Sequence, residues 1–210
     1  MVRVAPFVVF VLLTALEGRL GDGSRYWMYL AKTLVGGWML WMFRHAIPEM
    51  RWRFSWAGVI VGVIVFALWV GLDGLYPKWG SPAPTGWNPF AHFGSGTVAA
   101  WFFFGVRLVG SSLIVPLLEE VFYRSFLFRF LITPDFERQS LGHFNAKAFF
   151  ITSAAFGLVH AEWLPGILCG LLYQGLVLSR GRLGDAIFAH AVTNLLLGLW
   201  VMGTGAWRFW

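Results

Sequence analysis

The chain has 210 residues, of which 58% are hydrophobic and only 12% are charged, whereas soluble globular proteins carry about 25% charged residues. This composition excludes an ordinary soluble domain and indicates a protein of the lipid bilayer. The net charge of +6 would suit nucleic-acid binding, but the Lys and Arg residues fall in short loops between apolar runs, a pattern that sets membrane topology. We therefore expect no nucleic-acid partner and predict an all-α, polytopic transmembrane bundle of about seven spans.

Seven apolar runs follow one another, and each is predicted to be a helix because backbone in lipid must satisfy its hydrogen bonds internally. The first could be the apolar core of a signal peptide, but it lacks a small-x-small cleavage site and ends at Glu17, so we predict a retained span. We expect one membrane domain over residues 1–210, with N-terminal spans and loops in 1–96 and catalytic helices in 97–210. The runs are residues 4–17, 26–43, 56–73, 97–132, 146–161, 165–179 and 184–203.

The fourth run is too long to cross a bilayer upright as one helix. At about 1.5 Å per residue it would measure about 54 Å, against a hydrocarbon core about 30 Å thick. We predict that it tilts, projects into water or breaks near Gly110–Ser112 or Pro116.

Basic residues divide unevenly between the two faces of the predicted bundle. Because cytoplasmic loops are enriched in Lys and Arg, the excess on the side of the N-terminus predicts a cytoplasmic N-terminus and a C-terminus on the opposite side. The nine residues on the first side are Arg3, Arg44, Arg51, Arg53, Arg129, Arg138, Lys147, Arg180 and Arg182, and the four on the other are Arg19, Arg25, Lys78 and Arg208.

The end of the fourth run, VPLLEEVFYRSFLFRF, carries four ionisable side chains. At bilayer depth each costs about 3 kcal/mol or more, so such groups usually face a cavity and pair. Glu120 and Arg124 are four residues apart and are predicted to meet on one helix face. Glu119 is rotated by about 100° and can keep a freer carboxylate. Arg129 is nearer the basic side and can snorkel.

Two later runs carry histidines. FGLVH ends the fifth run at His160, and HAVTN in the seventh places His190 and Asn194 on one helix face. Counted from the loop 133–145, Glu119 and His160 both lie about 20 Å from the same face. The shorter count to the loop before the seventh run predicts that His190 lies nearer that face. A lone intramembrane histidine commonly serves only as an interhelical hydrogen-bonder, but this combination in three spans favours chemistry.

The residue types indicate hydrolysis of an amide. A carboxylate and a neutral histidine can hold and deprotonate water, while a second histidine and an asparagine can stabilise the oxyanion. Zinc ligation by the same residues is the alternative, but no HExxH motif is present, so we expect no cofactor. Cys169, the only cysteine, excludes a disulfide framework and is interpreted as a buried structural thiol rather than a nucleophile.

EEVFYR, FGLVH and HAVTN, in this order over about residues 107–195, resemble the EExxxR, FxxxH and HxxxN/D motifs of the CPBP family of glutamic intramembrane proteases. That family includes type II CAAX prenyl endopeptidases and bacteriocin-immunity-type membrane proteins. RLVGSSLIVPLLEEVFYRSFL, WNPF and TGAWRFW further resemble its bacterial, exosortase-associated CAAX prenyl protease-related branch.

The resemblance implies a multi-pass protein of the bacterial inner (plasma) membrane that cleaves a membrane-anchored protein or peptide and works beside exosortase-system proteins. It also implies a role for each motif residue. Water is activated by Glu119 with His160, the site is oriented by Glu120 and Arg124, and the oxyanion is held by His190 and Asn194.

Two other functions fit the buried polar residues. In the first, the protein is a noncatalytic membrane partner in a protein-sorting or bacteriocin-immunity system, and the polar set only joins helices. In the second, the glutamates and histidines relay protons in a transporter, although discontinuous-helix signals in paired halves are absent from the sequence.

Overall fold

The computed structural model describes residues 1–21, 23–78 and 86–210, and within these ranges the chain is helical with no β-strand. Each of the seven predicted runs coincides with one of the longer helices, and a short helix, α4, lies in the loop before the fourth run. The helices are α1 (Ala5–Thr14), α2 (Ser24–Phe43), α3 (Trp56–Gly71), α4 (Pro89–Phe93), α5 (Val98–Phe130), α6 (Ala146–Leu158), α7 (Trp163–Arg180) and α8 (Leu183–Thr204).

Polar caps and glycines set several helix ends. Ser55, Thr97 and Asn145 precede α3, α5 and α6, and each side-chain oxygen accepts a hydrogen bond of 2.9 to 3.2 Å from the backbone N–H three residues later, as N-cap residues do. Gly181 and Gly205 end α7 and α8 with φ of 63° and 69°, a left-handed conformation that glycine adopts without a Cβ penalty.

Among the described residues, two helices, α5 and α8, are long and apolar enough to cross a membrane by length and composition, while α1, α3 and α6 are shorter apolar helices. α1 has 10 residues, which extend about 15 Å at 1.5 Å per residue, half of a typical hydrocarbon core. The all-helical fold is therefore as predicted, whereas a full crossing by each of the seven segments stays a prediction.

α5 does not break, but it changes helical type twice. It is π-helical at Gly110–Ile114 and again at Val121–Leu127, so the predicted interruption at Gly110–Ser112 is a wider turn within a continuous helix. Gly110 allows α2 to approach there, because a Cβ on it would lie 2.8 Å from Thr33 Oγ1.

Four helices meet in one core. Tyr123 of α5, Phe156 of α6, Tyr173 of α7 and Ile187 of α8 are each at most 3% exposed and belong to a single cluster. Because lipid tails are as apolar as these side chains, such an interface is stabilised mainly by close packing rather than by the hydrophobic effect. The cluster fixes the relative positions of the helices that carry the three motifs.

A buried ionic network lies on the side of the bundle where most of the basic residues are predicted to be. The Glu49 carboxylate accepts hydrogen bonds from Arg3 Nε at 2.8 Å, from Arg129 Nη2 at 2.9 Å and from the Ser125 hydroxyl. Burial acts to raise the pKa of Glu49, but the hydrogen bonds from Arg3 and Ser125 outweigh it and hold the pKa below its usual range. Arg129 is only 5% exposed, so the prediction that it snorkels is wrong. Its guanidinium ties the end of α5 to the loop after α2.

Candidate active site

One cavity of about 180 Å³ lies between α3, α5, α6, α7 and α8. Glu119, His160, His190 and Asn194 all line it, so the structure brings together the four residues predicted to be catalytic. A water needs only about 15 Å³ of such space, and the cavity therefore has room for several. Tyr173, Thr193 and the buried thiol of Cys169 are among the other lining groups.

Glu120 and Arg124 form an ion pair beneath the cavity. Glu120 Oε1 lies 3.2 Å from Arg124 Nη1, and both side chains are fully buried. The guanidinium also lies 4.2 Å from the centroid of the Phe156 ring, within cation–π range. The pairing predicted from the four-residue spacing is present, and it fixes the orientation of a buried carboxylate that contacts His190, a residue of the cavity wall.

His190 contacts both glutamates. Its Nδ1 lies 3.0 Å from Glu120 Oε1, and its Nε2 lies 4.0 Å from Glu119 Oε2. Because a carboxylate accepts hydrogen bonds, Nδ1 donates to Glu120 and Nε2 faces the cavity. Glu119 Oε2 has no hydrogen-bond partner among the described residues, as its rotation away from Glu120 led us to expect.

The prediction that His190 lies nearer the basic face than Glu119 is wrong, because His190 contacts both carboxylates. α8 does not begin at the surface. Leu183 and Asp185 in its first turn are at most 1% exposed, and a Cβ on Gly184 would meet Arg53 Cγ at 2.9 Å. The segment before α3 therefore covers the start of α8, and residue counts from that loop underestimate depth.

His160 lies two residues after the end of α6, and its side chain bonds back to the last turn of that helix. Its Nδ1 lies 2.8 Å from the carbonyl oxygen of Phe156, and a carbonyl can only accept, so Nδ1 carries the proton. In the neutral ring Nε2 then has a free lone pair. The His160 ring also packs nearly perpendicular to Trp69, with centroids 5.6 Å apart. These contacts orient an imidazole base at the wall of the cavity.

Asn194 is positioned by the first π-helical turn of α5. Its Nδ2 donates to the carbonyl oxygen of Ser111 at 2.8 Å. That carbonyl is free because the backbone N–H of Val115 bonds Gly110 instead, and the next N–H in a π-helical pattern would belong to Pro116, which has none. The unusual turn thus supplies the acceptor that holds Asn194, leaving its second amide hydrogen available.

The chain also resembles a known protein family. Residues 101–196 match the family model described as type II CAAX prenyl endopeptidase, Rce1-like. The match supports a protease, and together with the apolar helices it supports a membrane protein. No curated protein and no solved structure matches the chain.

The matched region contains all seven specified residues of the three motifs. The exosortase-associated branch, the bacterial inner membrane and the glutamic mechanism stay predictions. Within residues 1–21, 23–78 and 86–210, no three His, Cys, Asp or Glu side chains are grouped as metal ligands would be.

Sequence reasoning missed several residues of the cavity wall. Trp69, Arg107 and Glu162 line it, but none belongs to the EExxxR, FxxxH or HxxxN/D motif. Arg107 could have been found, because an arginine within an apolar run is a candidate functional residue by its cost alone. Trp69 and Glu162 gave no comparable signal, since an aromatic residue and a loop carboxylate are common at membrane interfaces.

Proposed function

We propose that the protein is an intramembrane endopeptidase that hydrolyses a peptide bond of a membrane-associated protein or peptide. The observation that carries the proposal is the single cavity shared by Glu119, with an unpartnered carboxylate oxygen, and His160, with a free Nε2. The family match to a protease supports it. The substrate is anchored in the same membrane, and the reaction uses no cofactor.

The proposed reaction begins with a water held between Glu119 and His160. Glu119 accepts a proton as the water oxygen attacks the scissile carbonyl, and the imidazole of His160 orients the water. The resulting oxyanion accepts hydrogen bonds from Nε2–H of His190 in its imidazolium form and from the second amide hydrogen of Asn194. The carboxyl group of Glu119 then gives its proton to the leaving amine as the C–N bond breaks.

Glu120 and Arg124 act one step removed from the substrate in this scheme. The Glu120 carboxylate accepts from His190 Nδ1, which fixes the ring with Nε2 towards the cavity. In its imidazolium form His190 donates from both nitrogens, and the ionised Glu120 stabilises that form. Arg124 in turn holds Glu120 ionised.

The test compares cleavage by the wild-type protein with two variants in proteoliposomes that contain a pool of membrane-tethered peptides. New N-termini are identified by mass spectrometry. We expect Glu119→Gln and His160→Ala to lower turnover by at least about 100-fold, the usual effect of losing a general base, while the variants stay folded. Glu137→Gln, a change at a 63% exposed carboxylate, is the matched control and should retain wild-type turnover. Full turnover in both site variants would refute the assignment.

A noncatalytic role in a sorting or immunity system is the second candidate, favoured by the complete burial of Glu120 and Arg124, which is also what a purely structural pair would show. On that account wild-type protein releases no new N-termini. The site variants would then lose thermal stability and partner binding together, and no substrate would accumulate in cells.

A further inference from the structure

A second cavity lies next to the Glu49 network, between the segment that leads into α3 and the turn that joins α7 to α8. Its volume is about 170 Å³, and its wall includes the side chains of Arg51, Arg53 and Arg182. Of the lining residues that the structure describes, Glu49 alone has a carboxylate, and that carboxylate already accepts hydrogen bonds from two other arginines. The wall of this cavity therefore has an excess of positive charge.

The excess charge comes from Arg51 and Arg53. Arg182 donates to both carboxylate oxygens of Asp185, at 2.9 and 3.3 Å, and Asp185 is fully buried, so this ion pair neutralises the third arginine of the wall. The side chains of Arg51 and Arg53 are exposed. An anion outside the bundle can therefore reach both guanidinium groups.

The shape of the cavity is set by close packing. A Cβ on Gly184 would overlap the carbonyl oxygen of Arg51 and would lie 2.9 Å from Arg53 Cγ, so the backbone of this segment lies directly on the first turn of α8. Ion pairs of 2.8 and 2.9 Å hold Glu49, two residues before Arg51. The two arginines therefore extend from an anchored segment rather than from a free loop.

Arginines alternate with exposed aromatic residues along this segment. Residues 51–55 form no helix, and the backbone at the last of them is extended, with φ −153° and ψ 144°. Arg51 and Arg53 line the same cavity, as alternate residues of an extended chain can. Trp52 and Phe54 lie between and after them and are 42% and 68% exposed. Aromatic side chains next to an apolar helix mark the level of the lipid headgroups.

We propose that this cavity binds the phosphate group of an anionic phospholipid, with Arg51 and Arg53 as the phosphate ligands. A guanidinium group matches phosphate oxygens through two parallel hydrogen bonds, and basic pockets between membrane helices bind anionic headgroups. The exposed rings of Trp52 and Phe54 provide apolar surface for the acyl chains, which a soluble anion would leave unused. The inference is independent of the proposed peptidase function, since among the described residues this cavity shares no lining residue with the proposed active site.

The test measures lipid binding to the purified full chain in a neutral detergent by native mass spectrometry. The two probes are dioleoyl phosphatidylglycerol and dioleoyl phosphatidylcholine, which have the same acyl chains and differ in headgroup charge. Each basic residue beside an anionic headgroup contributes about fivefold to affinity. We therefore expect two arginines to give a preference for phosphatidylglycerol of at least about tenfold.

Two double variants assign that preference to the cavity. Arg51→Gln/Arg53→Gln keeps the Cγ atom that contacts Gly184 and should reduce the preference to below about threefold. The matched control is Arg44→Gln/Arg138→Gln, which removes the same charge at two exposed arginines outside the cavity. The control should keep the preference of the unmodified chain.

Equal binding of the two lipids by the unmodified chain would overturn the proposal, and this outcome can be read even if the variants fail to fold. A preference that survives in a folded Arg51→Gln/Arg53→Gln protein would also overturn it. An equal loss in the control would assign the preference to net charge instead of to the cavity. Displacement of bound phosphatidylglycerol by an equal concentration of inorganic phosphate would show that the site takes soluble anions, which contradicts the assignment to a lipid.

Discussion

The adjacent residues Glu119 and Glu120 lie in different structural environments. Glu120 is fully buried against Arg124 and accepts from His190, whereas the Glu119 side chain is 16% exposed and faces the cavity. Removing one member of a buried ion pair leaves the other charge uncompensated, which is more destabilising than the pair itself is stabilising. The position proposed to serve chemistry and the position expected to serve stability are therefore consecutive in sequence.

Replacing each glutamate by its isosteric amide separates these roles. Glu120→Gln leaves the buried charge of Arg124 without a counter-charge and should lower the free energy of unfolding by about 3 kcal/mol. For a chain of this size that corresponds to a fall in Tm of about 6–12 °C. Glu119→Gln should change Tm by less than about 2 °C, since no described residue hydrogen-bonds its Oε2. Thermal unfolding in detergent, followed by tryptophan fluorescence, measures both. Equal Tm values for the two variants would contradict this division of roles.

At the scale of elements, His160 depends on how closely α6 and α7 approach. A Cβ on Gly157 would overlap the backbone of Ile167, and one on Gly166 would lie 2.9 Å from Gly157 Cα. The two backbones are thus in direct contact at the end of α6, three residues before His160. Small residues permit such close helix packing in membranes.

Gly157→Ala should separate these helices and move His160 away from Glu119. We expect a loss of cleavage of at least about tenfold and a destabilisation of about 1–3 kcal/mol, the usual effect of overpacking. Gly175→Ala in α7 is the matched control, because nothing lies within 4 Å of a Cβ there, and it should behave like the wild type. Unchanged turnover in a folded Gly157→Ala protein would show that the position of His160 does not depend on this contact.

The helices and the Glu120–Arg124 contact could be predicted from sequence because both depend on local spacing. The depth of His190 could not, because it depends on the burial of the first turn of α8 under Arg53, a residue 131 positions before Gly184 on another segment. The role of Ser111 was equally hidden. Its free carbonyl results from a π-helical turn that apolar periodicity does not reveal. The spacing of residues along the sequence was sufficient to identify the motif residues. Their contacts with other segments depend on tertiary packing, which the spacing does not reveal.

At the scale of the whole molecule, the ionic network and the aromatic-rich end occupy opposite ends of α5. The Arg129 guanidinium lies at the C-terminal end of α5 with Glu49 and Arg3, while Arg107 and the C-terminal Trp210 lie near its other end. Because basic residues are retained on the cytoplasmic side, we expect an orientation with Arg3 and Arg129 on the cytoplasmic side. In that orientation the cavity would extend from the membrane centre towards the outer face.

Cysteine labelling tests this orientation with little background, because the only native thiol, Cys169, is 2% exposed and should not react. Arg138→Cys introduces a thiol at a side chain that is 88% exposed in the loop after α5, and Ser95→Cys introduces one at an exposed position just before α5. In intact cells a membrane-impermeant maleimide should label Ser95→Cys and leave Arg138→Cys unlabelled until the membrane is permeabilised. The unmodified chain is the control for Cys169. Labelling of Arg138→Cys alone in intact cells would reverse the orientation, and labelling of both would mean that α5 does not cross the bilayer.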